Sequence, residues 1–367
     1  MLIARTTCLR SRALLRFALA AIGAGIALVA CAGSGRNADK AATGRETTTA
    51  GAPNETETGG KIESGTDAAE AIAPAGVIAY QTDRTGREGV WLIRSDGSDD
   101  HEVATDVPDE HLHPDWSPDG EHLLFTKRAE HDLLFEANAQ GRNARQIVPC
   151  DDPCGGDDEA SYSPDRRRIA FIRAFGPLAD DGSPKECRLA VFDRTSGTVT
   201  YLTRDPRCLG RAAFPRWSPD GSMLVYFVDR SDEFGATSTT AVFSIAAKGG
   251  KARQLTSWEL AGGDADWSPD GKLIVFSTYP LVYFQEAGIS NLYTIRSDGS
   301  NLHPLTSYKE GETRASHPRW TPDGERIVYV ADNGGARELW LVNADGSNPV
   351  QITQGGIYTH PVWRPNP

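Results

Sequence analysis

Trp217-Ser-Pro-Asp-Gly221 decides the fold, because the same five-residue form returns at Trp116-Ser-Pro-Asp-Gly120, Trp267-Ser-Pro-Asp-Gly271 and Trp320-Thr-Pro-Asp-Gly324. Tyr162-Ser-Pro-Asp-Arg166 and Trp363-Arg-Pro-Asn366 are degraded copies, so the chain carries six. The motif prolines fall at 118, 164, 219, 269, 322 and 365, a spacing of 43 to 55 residues. A fixed period of that length marks a repeated supersecondary unit, since no single copy can bury its own apolar face.

Each copy carries the same strand grammar. Ser-Pro-Asp-Gly suits a type I turn, because proline sets φ at the second position and glycine accommodates the exit. After it comes a short apolar strand, as in Leu123-Leu-Phe125, Ile169-Ala-Phe171, Leu224-Val-Tyr226 or Ile327-Val-Tyr329. A third strand follows, such as Leu292-Tyr-Thr-Ile295 or Leu339-Trp-Leu-Val342, and closes on a glycine-bearing turn such as Asp298-Gly299 or Asp345-Gly346. The fourth is expected to end in Leu202-Thr203, Leu255-Thr256, Leu305-Thr306 or Ile352-Thr353. Alternation between turn signals reads as strand throughout, so each repeat is one four-stranded antiparallel blade.

The sixth copy reaches only its innermost strand before residue 367, while Val77-Ile-Ala-Tyr80, Val90-Trp-Leu-Ile93 and the segment near Val103 supply strands two, three and four at the other end of the repeats. The expectation is an all-β, six-bladed β-propeller over residues 75–367, closed by N-terminal strands that complete the C-terminal blade. Closure of this kind removes exposed sheet edges.

Ahead of the repeats, Arg5, Arg10, Arg12 and Arg16 precede an apolar run from Phe17 to Ala30 that is too short to span a bilayer. Leu28-Val29-Ala30-Cys31 resembles the lipobox of bacterial lipoproteins, which implies a signal peptide over 1–30 and diacylation of Cys31. The alternative is an ordinary secretory signal cut near Ala32. Two acyl chains would anchor the chain stably to a membrane without crossing it. Residues 31–74 are poor in large apolar side chains and read as a disordered tether. Loss of four arginines and no acid with residues 1–30 takes the formal charge from −12 to −16, which argues against nucleic acid as a partner.

Trp-Ser-Pro-Asp-Gly followed by an Ile-Ala-Phe-like strand resembles the repeat of the TolB propeller family, and is similar to repeats in oligogalacturonate lyases and prolyl-oligopeptidase-like peptidases. The TolB resemblance implies an extracytoplasmic, monomeric protein–protein interaction scaffold of the bacterial envelope, located in the periplasm or at the outer cell surface. Its partners would be envelope proteins, a Pal-like lipoprotein among them. The lyase resemblance implies the other class, a metal-dependent enzyme acting on acidic sugars. The sequence has no Gly-x-Ser-x-Gly elbow of the kind the peptidases would need.

Antiparallel strands place the two tight turns of each blade on one face and the longer connections, 174–186, 230–239 and 279–290, on the other. That long-loop face is the candidate functional surface. Five residues before each motif proline stand His113, Glu159, Phe214, Asp264, His317 and His360. His113, His317 and His360 with Glu159 and Asp264 are a candidate set for a divalent metal such as zinc or manganese, the lyase resemblance pointing the same way. Equally, each His-Pro can serve only to bond a neighbouring blade at the entrance to the innermost strand.

Tyr279, Tyr283 and Phe284 form a candidate docking patch, unless they fold back on their own blade. The acidic runs Asp151-Asp152 and Asp157-Asp158-Glu159 fit no EF-hand spacing and read as solvated surface. The cysteines beyond Cys31 are four, and the pairs Cys150–Cys154 and Cys187–Cys208 are the expected disulfides, with a four-thiolate zinc site as the alternative.

Overall fold

The computed structural model describes residues 76–103, 105–176, 186–203, 211–231, 238–279, 289–309 and 313–365. The expected leader, Cys31 and the tether lie outside the described residues. Among the described residues the regular structure is strand, apart from one 3-10 turn at Trp258–Leu260.

Six four-stranded antiparallel sheets are present. Their innermost strands are Glu110–Trp116, Cys154–Tyr162, Arg211–Trp217, Gly262–Trp267, Arg314–Trp320 and Thr359–Trp363, which begin blades 1 to 6 in that order. Each innermost strand touches the one before and the one after, and the sixth touches the first, so the sheets close into a ring around a channel. The fold is a six-bladed β-propeller.

The core is not central but sits in six apolar clusters, each between two consecutive blades. Between blades 3 and 4, for example, Val225 and Val242 meet Trp267, Ile274 and Phe276. The motif aromatic is the piece each innermost strand contributes to its cluster. Stability therefore resides in blade-to-blade interfaces, as in other repeat architectures.

The motif earns its recurrence through one hydrogen-bond pattern. In blade 3 the Ser218 hydroxyl donates to Asp220 at 2.6 Å and accepts from the Met223 amide at 2.9 Å. Ser117, Ser163, Ser268 and Thr321 repeat both bonds. Hydrogen bonds from the Ser218 hydroxyl and the Ser222 amide hold the Asp220 carboxyl below the usual carboxylate range. Glycine is required at the turn exit, where φ is +65° at Gly120 and +67° at Gly221. In the degraded blade 2 copy Arg166 adopts the same left-handed geometry at φ 59°, and its guanidinium pairs with Asp119 of blade 1.

The outermost strands end earlier than their Leu-Thr signature suggests. In blades 3, 4 and 5 they are Arg253–Gln254, His303–Pro304 and Val350–Gln351. Thr256, Thr306 and Thr353 then accept the Val242, Leu292 and Leu339 amides through their hydroxyls at 2.9 Å. The Leu255, Leu305 and Ile352 amides still donate to the Val242, Leu292 and Leu339 carbonyls at 2.8 Å, and the threonine hydroxyl supplies the return bond that a backbone carbonyl would otherwise make, which satisfies the third strand without extending an exposed edge.

Blade 6 joins the two ends of the repeat region. Val77–Thr82 lies between Thr359–Trp363 and Gly89–Arg94, with Ile78 opposite Trp363 and Ala79 opposite Val362. Arg364 donates to the Gly120 carbonyl at 2.8 Å and ties the closing blade to blade 1. Trp363 is buried against Ile78 and Tyr80 and against Val328 and Leu341 of blade 5.

Two losses of stability follow, both readable by guanidinium unfolding. Trp363→Ala should cost about 3–5 kcal/mol, the range for emptying a buried aromatic site. Ser218→Ala should cost about 1–2 kcal/mol, because it strands the half-buried Met223 amide. Losses below about 0.5 kcal/mol would mean that neither group is held as described.

Candidate functional site

The ladder of every innermost strand breaks at the same place. Register shifts fall between Leu112 and Asp115, Asp158 and Ser161, Ala213 and Arg216, Gly263 and Asp266, and Ser316 and Arg319. The sixth lies between Thr359 and Val362. At each bulge one non-glycine residue takes a left-handed conformation: His113, Glu159, Phe214, Asp264, His317 and His360, with φ between 47° and 57°. Such geometry is strained for side chains other than glycine. Its sixfold recurrence with different residues marks it as a property of the blade, and the chemistry resides in which side chains are placed there. The His-Pro and Phe-Pro dipeptides assist, since proline brings no amide to the ladder.

These bulges aim their side chains at the channel axis. His360 lies edge to face on His317 and His113, with ring centroids 4.2 and 4.6 Å apart. Phe214, three blades away, stacks on His360 at 5.1 Å and meets His113 at 5.3 Å. Contact between opposite blades means that the channel is closed at this level. The three histidines expected to converge do so, and Phe214, which stood in the same alignment, completes the plug.

The carboxylates play separate roles. Asp264 is fully buried; its Oδ2 lies 3.7 Å from His317 Nε2 and accepts the Tyr279 hydroxyl. Among the described residues its Oδ1 has no hydrogen-bond partner. Glu159 accepts the Phe214 amide at 2.9 Å, bonding the next blade in the manner foreseen for the histidines. The His113 ring bonds Asp158, which shares a 2.6 Å hydrogen bond with Nδ1 and accepts from Thr126 at 2.7 Å, while the His113 amide donates to Gln81 of the closing blade at 3.1 Å.

Asp157-Asp158-Glu159 is therefore not solvated surface. Asp157 is buried and forked onto Arg173 by two 2.7 Å hydrogen bonds. Arg173 stands on the adjacent strand directly opposite Asp157, and burial pushes the Asp157 carboxyl up to about 6. Asp151 and Asp152 are exposed.

Burial lowers the pKa of His317, and burial followed by the neighbouring His317 and His113 lowers that of His360 well below its ordinary value. Both rings are thus neutral near pH 7. His360 Nδ1 is buried without a hydrogen-bond partner. Among the described residues, the clusters whose donor atoms lie within 4.8 Å of one another are Cys150, Cys154 and Asp157, and Asp119, Glu121 and His122. The first pair of thiols is spent in a disulfide. The ring histidines are not in either cluster; as packed, they do not fit a common metal without turning.

Tyr279 is half-buried, turned toward Asp264 with its ring 6.0 Å from that of Phe227. Tyr283 and Phe284 lie outside the described residues. Cys187 is disulfide-bonded, and Cys208, its expected partner, also lies outside them.

A second layer was not singled out from the sequence. Two residues beyond each bulge stand Asp115, Ser161, Arg216, Asp266, Arg319 and Val362. The signal was present as a charged residue before the motif tryptophan in four of the six copies. Asp115 accepts the Tyr162 amide and Asp266 the Trp320 amide, each at 2.9 Å, so both carboxylates stitch one blade to the next.

No family model matches the chain. An uncharacterized protein of Agrobacterium fabrum is 24% identical over 251 residues, 68% of this chain and 61% of its own length. An uncharacterized peptidase of Bacillus subtilis is 31% identical over 62 residues, only 9% of its length. The chain thus spans less than two thirds of either relative. Among solved structures, TolB from Acinetobacter baumannii superposes with a TM-score of 0.61 at 19% identity, covering 79% of this chain and 66% of TolB. Oligogalacturonate lyase from Vibrio parahaemolyticus gives 0.51 at 15% identity, covering 76% and 80%. Identities this low establish the propeller and leave its activity open.

The neutral histidines make stability pH-dependent. In the unfolded chain histidine protonates near pH ~6.5, whereas His360 in the fold resists the proton to lower pH. Stability is fully present above about 6.5 and falls as pH drops below it, because the unfolded chain then binds more protons. Buried Asp115 and Asp266, with raised pKa, bias the other way, so a variant comparison is needed. Between about pH 7.5 and about pH 5, His360→Phe should lose less Tm than the parent. Equal losses would show that His360 takes up its proton within the fold.

Proposed function

We propose that this chain is a non-enzymatic, TolB-like protein-binding module of the bacterial envelope, tethered by the lipid expected on Cys31 and engaging its partner through the long-loop face. The observation that carries this reading is the plug. Phe214, His113, His317 and His360 close the channel on that face with packed rings, an aromatic centre framed by the long connections. Protein interfaces favour aromatic, weakly charged centres of this kind. Ile289 and Ile357, 47% and 43% exposed, stand on connections of the same face and extend its apolar character. By resemblance the partner is an envelope protein, a Pal-like lipoprotein being the first to try.

The two faces can be compared directly in cells with a photo-reactive phenylalanine. Placed at His131 or Ile289, on long-loop connections, it should give one discrete adduct. Placed at Gln140 or Asp345, on exposed tight turns of the opposite face, it should give none. Adducts from both faces alike, or from neither, would contradict the proposal.

Convergence of three histidines, one with a bare Nδ1, favours a second reading in which the rings turn to hold a divalent cation and the propeller acts on acidic sugars. Elemental analysis of the purified chain beside its His113, His317, His360 triple alanine variant decides between them. Near-stoichiometric metal lost in the variant would support the enzyme; metal-free parent protein would retire it.

A further inference from the structure

The opposite end of the channel is open. There the innermost strands finish around a cavity of about 340 Å³, a size typical of small-molecule sites. Its rim is aromatic, built from Trp116, Trp217, Trp267, Trp320 and Trp363 of the motif. Asp115, Arg216, Asp266 and Arg319 also line it.

The two arginines are under-used. Arg319 is only 3% exposed, yet its one hydrogen bond runs from Nη1 to the adjacent Pro318 carbonyl at 2.8 Å. Arg216 reaches its own neighbour, the Pro215 carbonyl, at 3.4 Å. The Nε of each is buried without a partner. Neither lies within ion-pair distance of a carboxylate among the described residues, and Asp115 and Asp266 are occupied with backbone amides of the next blade. Burial, then the like charge of Arg216, lowers the Arg319 pKa to about 10. A buried guanidinium whose one acceptor is a carbonyl remains short of partners, the carboxylates of Asp266, Asp264 and Asp115 acting on it only through space, and an anion in the cavity would supply them.

We propose that this cavity is a receptor for a small carboxylate, held between Arg216 and Arg319 with its apolar or aromatic body against the tryptophan rim. The planar guanidinium fork matches a carboxylate. Asp115 and Asp266 in the same layer disfavour a dianion, so one negative charge is accepted where phosphate is rejected. The small part of each motif tryptophan left uncovered at the cavity supplies apolar contact to the rest of the ligand. A free organic acid and the C-terminal residue of a peptide share this chemistry. The site is separate from the plugged mouth assigned to partner binding, and either can fail without the other.

The test uses the full chain with 4-bromobenzoate as the free acid and N-acetylphenylalanine as the peptide terminus, each titrated calorimetrically. At least one should bind saturably with one site per chain; the tighter of the two identifies the source. Arg216→Met and Arg319→Met, each of which removes one guanidinium at similar side-chain length, should each weaken binding at least tenfold. Should either variant unfold, bromine anomalous scattering from the parent protein crystallised with 4-bromobenzoate locates the ligand independently, and the carboxylate must lie between the two arginines. Binding of neither acid, affinity unchanged in the variants, bromine found elsewhere, or displacement by equimolar inorganic phosphate would each overturn the proposal.

Discussion

The pairing of Thr359–Trp363 with Val77–Thr82 is the contact on which the rest of the structure depends. Five blades without it would end in two bare edges, and each edge would present an unpaired ladder to any other chain. With it, both ends of the ring are used up in one sheet. Among the described residues the contact is also the longest in sequence, the Arg364 amide donating to the Val77 carbonyl at 2.8 Å. Contacts of such separation carry an ordering entropy that the interactions at the seam must offset. Trp363, Arg364 and the close approach of Pro365 to Gly120 concentrate the compensating interactions at that seam.

Ring closure turns a local irregularity into a site. One bulge in one strand would merely redirect a side chain. Six bulges at equal height converge on one axis, which is why Phe214 touches a ring three blades away. The residues two positions further along converge as well, and their character is different. The upper layer sets four packed rings beside the carboxyl groups of Glu159 and Asp264, and the lower one sets two aspartates against two arginines. The same scaffold thus offers a closed face suited to a protein surface and an open vestibule suited to a small acid.

Much of this was legible in the residues. The motif prolines gave blade number and period, and the split blade followed from where the strands of the first and last copies fell. The alignment five residues before proline placed the six bulge positions on one mouth. What escaped the sequence was pairing at a distance. Asp157-Asp158-Glu159 reads as solvated because three consecutive acids usually are, and nothing local reveals that Arg173 stands opposite Asp157 or that Asp158 faces His113. Asp115, Arg216, Asp266 and Arg319 escaped because the recurring motif draws the eye to the tryptophan that follows each. The outer strands fell short of their Leu-Thr signature because a threonine hydroxyl takes the last return bond of the ladder in place of a backbone carbonyl, a difference that β-propensity alone does not reveal.

Hydrogen exchange measured residue by residue through 77–82 and 359–364 tests ring closure most directly, since the channel, its plug and its vestibule all presuppose it. The account predicts that these amides are protected as strongly as those of Leu339 to Val342 inside blade 5 and open only with global unfolding. Fast exchange confined to the two terminal strands, with blades 1 to 5 still protected, would contradict it.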